Sequence, residues 1–414
     1  MSGPAVLVFS SLFPTPAQPL AGVFIRERMS RVAECLPLVV VSPQPWFPLQ
    51  SLLRIWKKNY RQTAPRYEKQ GALEIFRPRF FSIPGIGKHL DGYFMALGAW
   101  RTVARLKKSG RADVLDAHFA YPDGFAATVL GSALRLPVTI TLRGTEVRHA
   151  QSAALRPRVA QALRKADRVF AVSESLCKIA YGLGLEPEKT RVVGNGVDAR
   201  MFSPVPRTEA RNALGLSSST QVLISVGGLV ERKGFHRVLE ILPSLLKRYP
   251  GLIYLIVGGP SPEGDYSEVL HEQVRRLELT THVRFLGALP PPALKVPLSA
   301  SDVFVLPTRN EGWANVFLEA LACGRPIVTT RVGGNAEVVE DGVVGSLVPF
   351  DDAPALLHAV DAALARDWDE TALRAYALRH SWDDRTALLC EEFKALVAKR
   401  DEIKRTMSSR KAGV

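Results

Sequence analysis

Several features are missing from this 414-residue sequence, and each absence excludes a class of protein. No stretch reaches the roughly 18 consecutive apolar residues that a membrane-spanning helix needs. The four cysteines are scattered without a Cys-x-x-Cys pair, so we expect neither a disulfide framework nor a zinc site. No Gly-x-Gly-x-x-Gly follows the first apolar run, which argues against a nicotinamide-type dinucleotide site. No zinc-finger spacing, aromatic RNA-binding signature or helix-turn-helix pattern is present, so we expect no nucleic-acid partner.

Length and charge indicate what kind of chain remains. With 414 residues and 47% apolar residues, the chain is long enough for two domains, each with its own core. Residues 1–203 contain 29 Lys and Arg against 14 Asp and Glu, whereas residues 204–414 contain 25 against 26. The whole excess of the +14 net charge therefore belongs to the first half. In the absence of nucleic-acid motifs, this excess favours an anionic membrane surface as a partner.

Short apolar runs alternate with helical patterns along both halves. Residues 6–9 form a first strand that is too short for a signal-peptide core, and residues 221–226 and 301–307 are equally apolar runs in the second half. This alternation predicts an α/β fold with one parallel, doubly wound sheet in each half. We place a linker in the polar, proline-containing stretch 203–220. The predicted segments are then a first domain at 1–203, a second domain at 204–382, and a final helix with a polar tail at 383–414.

The stretch 311–319 is the predicted functional centre. It follows an apolar strand that ends at Pro307, and it opens a helix. Gly312 allows close backbone approach, and the N–H groups of the first helical turn suit an anion such as a diphosphate. Glu311 in the loop and Glu319 one turn inside the helix would point their carboxylates at the crevice beyond the strand, where sugar and ribose hydroxyls can donate to them. The alternative is a pair of solvated acids.

A glycine-rich turn, 227–234, follows the strand at 221–226 and precedes a long helix. It carries Arg232 and Lys233, and two cations beside such a turn suit a diphosphate. Together with the acids at 311 and 319, this turn predicts a nucleotide-sugar site.

These segments resemble the retaining glycosyltransferases of family 4, which have the GT-B architecture of two facing Rossmann-like domains. The resemblance covers nearly the whole chain and rests most strongly on 222–350. Lys233 matches the family lysine, but Gly228 stands where the family usually has an arginine, so we expect Arg232 to supply the second charge. The resemblance also implies a set of donor-binding residues: Gly22, Arg232, Lys233, Gly287, Leu289, Gly312, Trp313, Ala314, Asn315, Val316 and Glu319.

The first half adds candidate residues at the ends of two further strands. His118 ends the apolar run 113–117 and, by its position, is the predicted catalytic residue against the reacting sugar, along with Glu311 and Lys233 from the second half. A structural histidine is the alternative. Arg143 and Glu146 follow the run 138–142, and the resemblance places them beside the acceptor. A structural salt bridge explains either residue equally well.

Residues 46–60 predict an amphipathic helix in contact with a membrane. Its apolar face comprises Leu49, Leu52, Leu53 and Trp56. Basic residues lie nearby, namely Arg54, Lys57, Lys58 and Arg61. Tryptophan, leucine and basic residues in this arrangement fit an interfacial helix, although a helix packed on its own domain has the same pattern.

We therefore expect a metal-independent retaining hexosyltransferase without a cofactor. Its partners would be a nucleotide-diphosphate sugar, a saccharide acceptor that is lipid-linked, and the inner face of the cytoplasmic membrane, to which it would bind peripherally from the cytoplasm. The process would be cell-envelope or exopolysaccharide synthesis. Two alternatives share the donor site: a nucleotide-sugar epimerase of the same architecture and a non-catalytic sugar-nucleotide-binding protein.

Overall fold

The structure is a computed structural model that describes residues 3–19, 21–48, 50–56, 64–261 and 263–412. Its chain divides into two compact units. The first comprises Met1–Gly194 together with Asp383–Val414, and the second comprises Asn195–Trp382. The first unit thus ends at Gly194, earlier than the boundary expected at residue 203.

The central strands of the first unit are apolar and buried on both faces, as is typical of parallel sheets. Its elements in chain order are β1 (Val6–Phe9), α1 (Val23–Cys35), β2 (Leu38–Val41), β3 (Gln44–Trp46), α2 (Gln50–Trp56), β4 (Tyr67–Gln70), β5 (Leu73–Phe76), β6 (Arg79–Phe81), α3 (Asp91–Lys108), β7 (Val114–His118), α4 (Phe125–Leu134), β8 (Val138–Leu142), α5 (Thr145–Gln151), α6 (Arg156–Lys165), β9 (Arg168–Ala171), α7 (Glu174–Tyr181) and β10 (Thr190–Val192).

The main sheet of this unit has the strand order β10-β9-β8-β7-β1-β2-β5-β4. All its pairs are parallel except β4 with β5. Chain order reverses at β1 and β7, so the residues that follow these two strands lie at one edge of the sheet. Strands β3 and β6 form a separate two-stranded ladder.

The second unit repeats this plan with strands of the same apolar kind. Its elements are α8 (Arg207–Ala213), β11 (Val222–Val226), α9 (Phe235–Leu246), β12 (Ile253–Val257), α10 (Ser267–Arg276), β13 (Val283–Gly287), α11 (Pro291–Ala300), β14 (Val303–Leu306), α12 (Asn315–Ala322), β15 (Ile327–Thr330), α13 (Asn335–Val338), β16 (Gly345–Val348), α14 (Ala353–Ala365) and α15 (Glu370–Leu378). The sheet order is β13-β12-β11-β14-β15-β16, all parallel, and chain order reverses between β11 and β14. The predicted α/β fold with two doubly wound sheets is confirmed.

The last helix, α16 (Trp382–Ala412), leaves the second unit and groups with the first. Phe393 on this helix is buried and packs edge-on against Phe170, with ring centroids 6.0 Å apart. Glu392 forms an ion pair with Arg168 at 2.9 Å and accepts from Arg191 Nε at 3.1 Å, and Arg400 donates to the carbonyl of Asp113 at 2.9 Å. The helix is therefore attached to the sheet of the first unit.

The stretch 203–220, in which we placed the linker, belongs to the second unit. It contains α8, and Arg211 on that helix is buried. The guanidinium of Arg211 donates to Asp302 at 2.9 Å and to the carbonyl of Ala300 at 3.1 Å. The helix packs on the second unit because this buried cation finds both a carboxylate and carbonyl partners.

The predicted membrane helix at 46–60 is corrected in part. Trp46 lies in β3 and pairs with Phe81 of β6, so the helix begins only at Gln50. Leu49 and the predicted basic residues Lys57, Lys58 and Arg61 lie outside the described residues. Within the part of the chain that the structure describes, no helix combines the length and apolar character needed to cross a membrane.

Candidate functional site

In the second unit, the loops after β11 and β14 meet where the strand order reverses. Open α/β sheets bind ligands in the crevice at such a point. The loop after β11 ends in a short 3-10 turn, Glu231–Lys233, and the loop after β14 leads to α12. The hydroxyl of Thr308 donates to the carbonyl of Arg232 at 2.9 Å, and the N–H of Arg309 donates to the same carbonyl at 2.7 Å. These two bonds join the loops.

Two glycines permit this close approach. Gly234 has φ 79°, and a Cβ there would lie 2.2 Å from the carbonyl oxygen of Pro307. Gly333 has φ 51°, and a Cβ there would lie 2.0 Å from the carbonyl oxygen of Glu311. That carbonyl accepts from the N–H of Gly334 at 3.0 Å. The backbone of Glu311 is therefore fixed by the loop after β15, and only glycine fits at the contact.

One carboxylate oxygen of Glu311 binds two cations. Oε1 accepts from Lys233 Nζ at 2.5 Å and from Arg232 Nη1 at 3.0 Å. Glu311 is 9% exposed, so water screens these contacts little. The structure thus brings Glu311 into contact with Arg232 and Lys233, which precede it by 79 and 78 residues.

Arg232 has a second carboxylate partner, Glu263, in the loop after β12. Its Nε and Nη2 donate to the two oxygens of Glu263 at 2.6 and 2.7 Å, a bidentate fork. Hydrogen bonds to Glu263 are the main cause that raises the pKa of Arg232 above its ordinary value, and the charge of Glu311 adds to this. Two cations and two carboxylates therefore share one cluster.

The loop that carries Glu263 also covers Gly228. A Cβ at position 228 would lie 2.9 Å from the Cβ of Ser261. An arginine at 228 would therefore require Ser261 to move. The predicted substitute, Arg232, lies next to Lys233, and its guanidinium is held between Glu263 and Glu311.

Helix α12 begins at the other side of Glu311. Ala314, in extended conformation, is its N-cap, and Asn315 is its first residue. The side-chain oxygen of Asn315 accepts from Asn195 Nδ2 at 2.8 Å. Gly312 is buried, Trp313 and Val316 are half-buried, and Glu319 is half-buried in the second turn. The N-terminus of α12 therefore follows Glu311 closely along the chain, and Glu319 lies on the same helix.

The remaining predicted donor residues of this unit lie two strands away. Gly287 ends β13 with φ 70° and is exposed, and Leu289 is half-buried beyond it. The carbonyl of Gly287 accepts from the N–H of Gly258 at 2.9 Å, and the backbone of Gly258 packs against that of Gly227. Gly287 is thus connected along the sheet edge to the turn that carries Lys233.

In the first unit, His118 lies at the end of β7 and is fully buried. Its Nδ1 accepts from Arg143 Nε at 3.1 Å, so the proton of the neutral ring is on Nε2, which lies 3.3 Å from Asp116 Oδ2. The other oxygen of Asp116 accepts from the hydroxyl of Thr139 at 2.7 Å. Burial and then the charge of Arg143 lower the pKa of His118 to about 4, against the opposing effect of Asp116. His118 is therefore neutral at pH 7.

Glu146 and Arg143 hold the turn that follows β8. The buried carboxylate of Glu146 accepts three backbone N–H groups, from Ala120 at 2.9 Å, Arg143 at 3.1 Å and Gly144 at 2.9 Å. These bonds connect the loop after β8 to the loop after β7. These partners of Glu146 are backbone N–H groups, and its contact with an acceptor stays a prediction.

Asp123 is a further buried carboxyl in this region. It accepts from the backbone N–H of Ser11, and its Oδ2 accepts from the Ser11 hydroxyl at 3.0 Å. Burial raises the pKa of Asp123 to about 7, although the bonds from Ser11 oppose the shift. The turn after β1 is thereby attached to the loop after β7.

Gly22 and Arg28 make close contacts with the backbone in this region. Gly22 precedes α1 with φ 73°, and a Cβ there would lie 2.6 Å from the carbonyl oxygen of Leu12. Arg28 is buried in α1 and donates to the carbonyls of Val193 at 2.6 Å and Gly194 at 3.0 Å. Arg28 therefore holds the end of the first unit, and the donor contact of Gly22 stays a prediction.

Three participants were missed by the sequence analysis: Glu263, Asp116 and Asp123. Asp116 had a visible signal, since it is an acid inside an otherwise apolar strand run. Asp123 and Glu263 lie in loops with ordinary turn composition, and nothing local distinguishes them from solvated acids.

Two family models match the chain in succession. One, described as Glycosyltransferase Family 4, matches residues 40–200, and the other, described as Glycosyl transferases group 1, matches residues 206–380. The two parallel-sheet α/β domains and these matches define a glycosyltransferase of GT-B architecture. Within that class, the chain belongs to the group 1 glycosyltransferases.

Curated relatives and solved structures agree with this assignment. The chain is 37% identical over 225 residues to D-inositol 3-phosphate glycosyltransferase of Corynebacterium urealyticum, covering 51% of this chain and 53% of the relative. It therefore spans about half the length of that relative. It is 28% identical over 335 residues to the putative teichuronic acid biosynthesis glycosyltransferase TuaC of Bacillus subtilis, covering 80% and 81% of the two chains.

Similar folds extend over nearly the whole chain. Sucrose-phosphate synthase from Thermosynechococcus elongatus superimposes with a TM-score of 0.77 at 20% identity, covering 96% of this chain and all of that one. Anabaena Alr3699/HepE in complex with UDP-glucose gives 0.66 at 21% identity, covering 99% and 100%. At these identities the likeness concerns the fold.

Proposed function

We propose that the protein transfers a hexosyl group from a nucleotide-diphosphate sugar to a hydroxyl of a saccharide acceptor, with retention at the anomeric carbon and without a metal ion. The observation that carries the proposal is the double contact of Lys233 and Arg232 on one oxygen of Glu311, at the point where the sheet order reverses. Among the similar folds, the Anabaena HepE structures are described with UDP and UDP-glucose.

The cluster contains the charges that donor binding needs. A diphosphate would form ion pairs with Lys233 and Arg232 in place of Glu311, and it would accept hydrogen bonds from the first N–H groups of α12. Glu311, relieved of these cations, would accept from hydroxyls of the donor sugar, and Glu319 would accept from the ribose. Gly287 and Leu289 would border the base. Donor binding thus exchanges one set of ion pairs for another, so the cations remain partnered throughout.

The same groups would stabilise the departing diphosphate. The bond between the anomeric carbon and the phosphate oxygen breaks, and its electron pair stays on the diphosphate. The acceptor oxygen forms its bond on the face that the leaving group vacates, and the acceptor proton passes to a diphosphate oxygen. Two cations and the helix N–H groups offset the charge that develops, which is the usual source of most of the rate enhancement.

His118 is the proposed contact of the first unit with the reacting sugar. In its present position both ring nitrogens face protein groups, Arg143 and Asp116. A hydrogen bond from the ring to a sugar would therefore require Arg143 or Asp116 to shift. Arg143 and Glu146 would in turn orient the acceptor, Glu146 by fixing the loop from which Arg143 extends.

We also propose that the acceptor is lipid-linked and that the protein binds the inner face of the cytoplasmic membrane in cell-envelope or exopolysaccharide synthesis. Two observations support this: the basic excess of residues 1–203, and exposed apolar side chains on the same unit, such as Ile86, Leu97 and Trp100. Among the similar proteins, one is named for teichuronic acid biosynthesis and another, from Mycolicibacterium smegmatis, for phosphatidylinositol monomannoside mannosylation.

The test begins with a thermal-shift screen against UDP-, GDP- and ADP-sugars, because a ligand that binds only the folded state raises its melting temperature. The donor so found is then incubated with the protein, with and without membrane extract as a source of acceptor. We expect release of the nucleoside diphosphate only with acceptor. Conversion of the sugar without acceptor would indicate an epimerase instead. Donor binding without turnover under any condition would indicate a non-catalytic binding protein.

A further inference from the structure

The first unit contains a pocket whose lining does not include His118. It has a volume of about 240 Å³ and is lined by the turn after β1, by β3 and the start of α2, and by the residues flanking β4 and β6. The lining includes one amide, one indole ring and three guanidinium groups, those of Gln44, Trp46, Arg66, Arg77 and Arg79. None of the sites described above uses these side chains.

The wall of this pocket is strongly basic. Three arginines line it, and no acidic side chain does so within the described residues. Arg77 is 1% exposed and is neutralised by Glu68 at 2.6 Å, while its Nε has no hydrogen-bond partner in the described part of the chain. Arg66 and Arg79 are exposed, and no described residue provides either guanidinium with a carboxylate. Two positive charges therefore remain uncompensated at the opening.

Backbone pairing fixes the three arginines relative to one another. The N–H of Arg77 donates to the carbonyl of Arg66 at 2.8 Å. Arg79 is two residues beyond Arg77, and both side chains line the pocket. In the β3–β6 ladder, Arg79 of β6 is opposite Gln44 of β3. Trp46 lies two residues beyond Gln44 on β3. The three guanidinium groups, the amide of Gln44 and the indole ring of Trp46 thus line one pocket.

Guanidinium groups bind phosphate through paired N–H donors, and an aromatic ring beside them packs against a sugar or polyol ring. A volume of about 240 Å³ admits a single phosphorylated ring. We propose that this pocket binds the phosphoester of the acceptor, as a phosphorylated sugar or polyol. This inference rests on the proposed function, because it names the chemical class of the acceptor.

The phosphoester can come from a soluble sugar phosphate or from a lipid headgroup, and the test has an arm for each source. Titration calorimetry with glucose 6-phosphate, and with glucose as the neutral control, measures the soluble arm. Sedimentation with phosphatidylcholine vesicles, with and without phosphatidylinositol, measures the lipid arm. Arg66→Gln and Arg79→Gln remove the two uncompensated charges at exposed positions, so both variants should fold. Arg164→Gln, exposed on α6, is the matched control.

We expect glucose 6-phosphate or the phosphatidylinositol vesicles to bind, glucose not to bind, and each of the two pocket variants to weaken binding about tenfold while Arg164→Gln leaves it unchanged. Binding of one probe alone identifies the source. Absence of binding in both arms, or equal binding by all variants, overturns the proposal. Nucleotide-sugar binding is measured separately by thermal shift, so a failure of the donor proposal is distinguishable from a failure of this pocket.

Discussion

Glu311 shows how a single side chain can hold two cations from a distant loop. Its carboxylate holds Lys233 and Arg232, and its carbonyl is held by Gly334. The acid therefore positions the two cations before a ligand arrives, which lowers the entropic cost of ordering their side chains on binding. A phosphate that replaces the carboxylate finds donors already in place.

Replacement of Lys233 by alanine tests this interpretation. Lys233→Ala removes one of two charges at the leaving diphosphate, so we expect kcat/KM to fall by on the order of a hundred- to a thousandfold. Glu311 keeps its contact with Arg232, so the melting temperature should change little. Lys247→Ala, an exposed lysine at the end of α9, is the control and should retain full activity. Initial rates of nucleoside diphosphate release measure the effect, and near-normal rates in Lys233→Ala would contradict the assignment.

Asp123 and His118 give the first unit opposite responses to pH. Asp123 has a folded-state pKa of about 7, above the ordinary 3.8, so between these values the folded state keeps a proton that the unfolded state loses. Its contribution to the free energy of unfolding therefore falls as pH rises through this window. His118 has a folded-state pKa of about 4, below the ordinary 6.5, so its contribution is lost as pH falls from 6.5 to 4.

Asp123→Asn should separate the two responses, because asparagine does not ionise. We expect the melting temperature of the variant, relative to that of the natural chain, to increase as pH rises from about 4 to 7. The variant should retain only the pH response that comes from His118. Thermal unfolding followed by circular dichroism across this range measures the difference. Asp367→Asn, at an exposed position of the other unit, is the control. A difference from the natural chain that does not vary with pH would show that Asp123 is ionised throughout.

The loops that hold these side chains depend on glycines at particular contacts. Gly333 and Gly342 both have positive φ, 51° and 78°, but they differ in their surroundings. A Cβ at 333 would meet the carbonyl of Glu311, whereas no described atom lies within 4 Å of a Cβ at 342. Substitutions at these two glycines therefore distinguish two contributions to the free energy of unfolding. One is the strain of a left-handed backbone, and the other is the clash of a Cβ with the carbonyl of Glu311.

We therefore expect Gly342→Ala to lower the free energy of unfolding by about 1 kcal/mol, the cost of left-handed backbone for a residue with a Cβ. Gly333→Ala should lower it by about 3 kcal/mol or more, because the added methyl displaces Glu311. Urea denaturation measures both values. Donor-induced thermal shift should be lost in Gly333→Ala and kept in Gly342→Ala. Equal behaviour of the two variants would mean that the loop after β15 does not position Glu311.

The elements differ in how far the sequence determined them. The strand, loop and helix around Glu311 were predictable because the apolar run that ends at Pro307 and the glycine at 312 are local signals. Glu263 was not, because its partner Arg232 is 31 residues away and no local pattern records the contact. Trp46 was expected in a helix, but its pairing with Phe81 places it in a strand. The stretch around α8 resembled a linker because an exposed helix and a linker share polar composition.

The distribution of charge and apolar surface is a property of the whole molecule. The first unit carries the basic excess, and its exposed apolar side chains include Ile86 at 68% and Leu97 at 76% exposure. The second unit is nearly neutral and also has exposed apolar residues, such as Val269 and Val343. Membrane binding through both charge and apolar contact would therefore be confined to the first unit.

Flotation with liposomes tests this asymmetry directly. We expect the protein to float with anionic vesicles at low salt, to float less as salt screens the charges, and to stay in solution with neutral vesicles. The double variant Ile86→Ser with Leu97→Ser should float markedly less, because two apolar side chains no longer enter the interface. The matched double variant Val269→Ser with Val343→Ser should float like the natural chain. If the protein stayed in solution with anionic vesicles at low salt as well, the acceptor would have to reach the protein without a membrane surface.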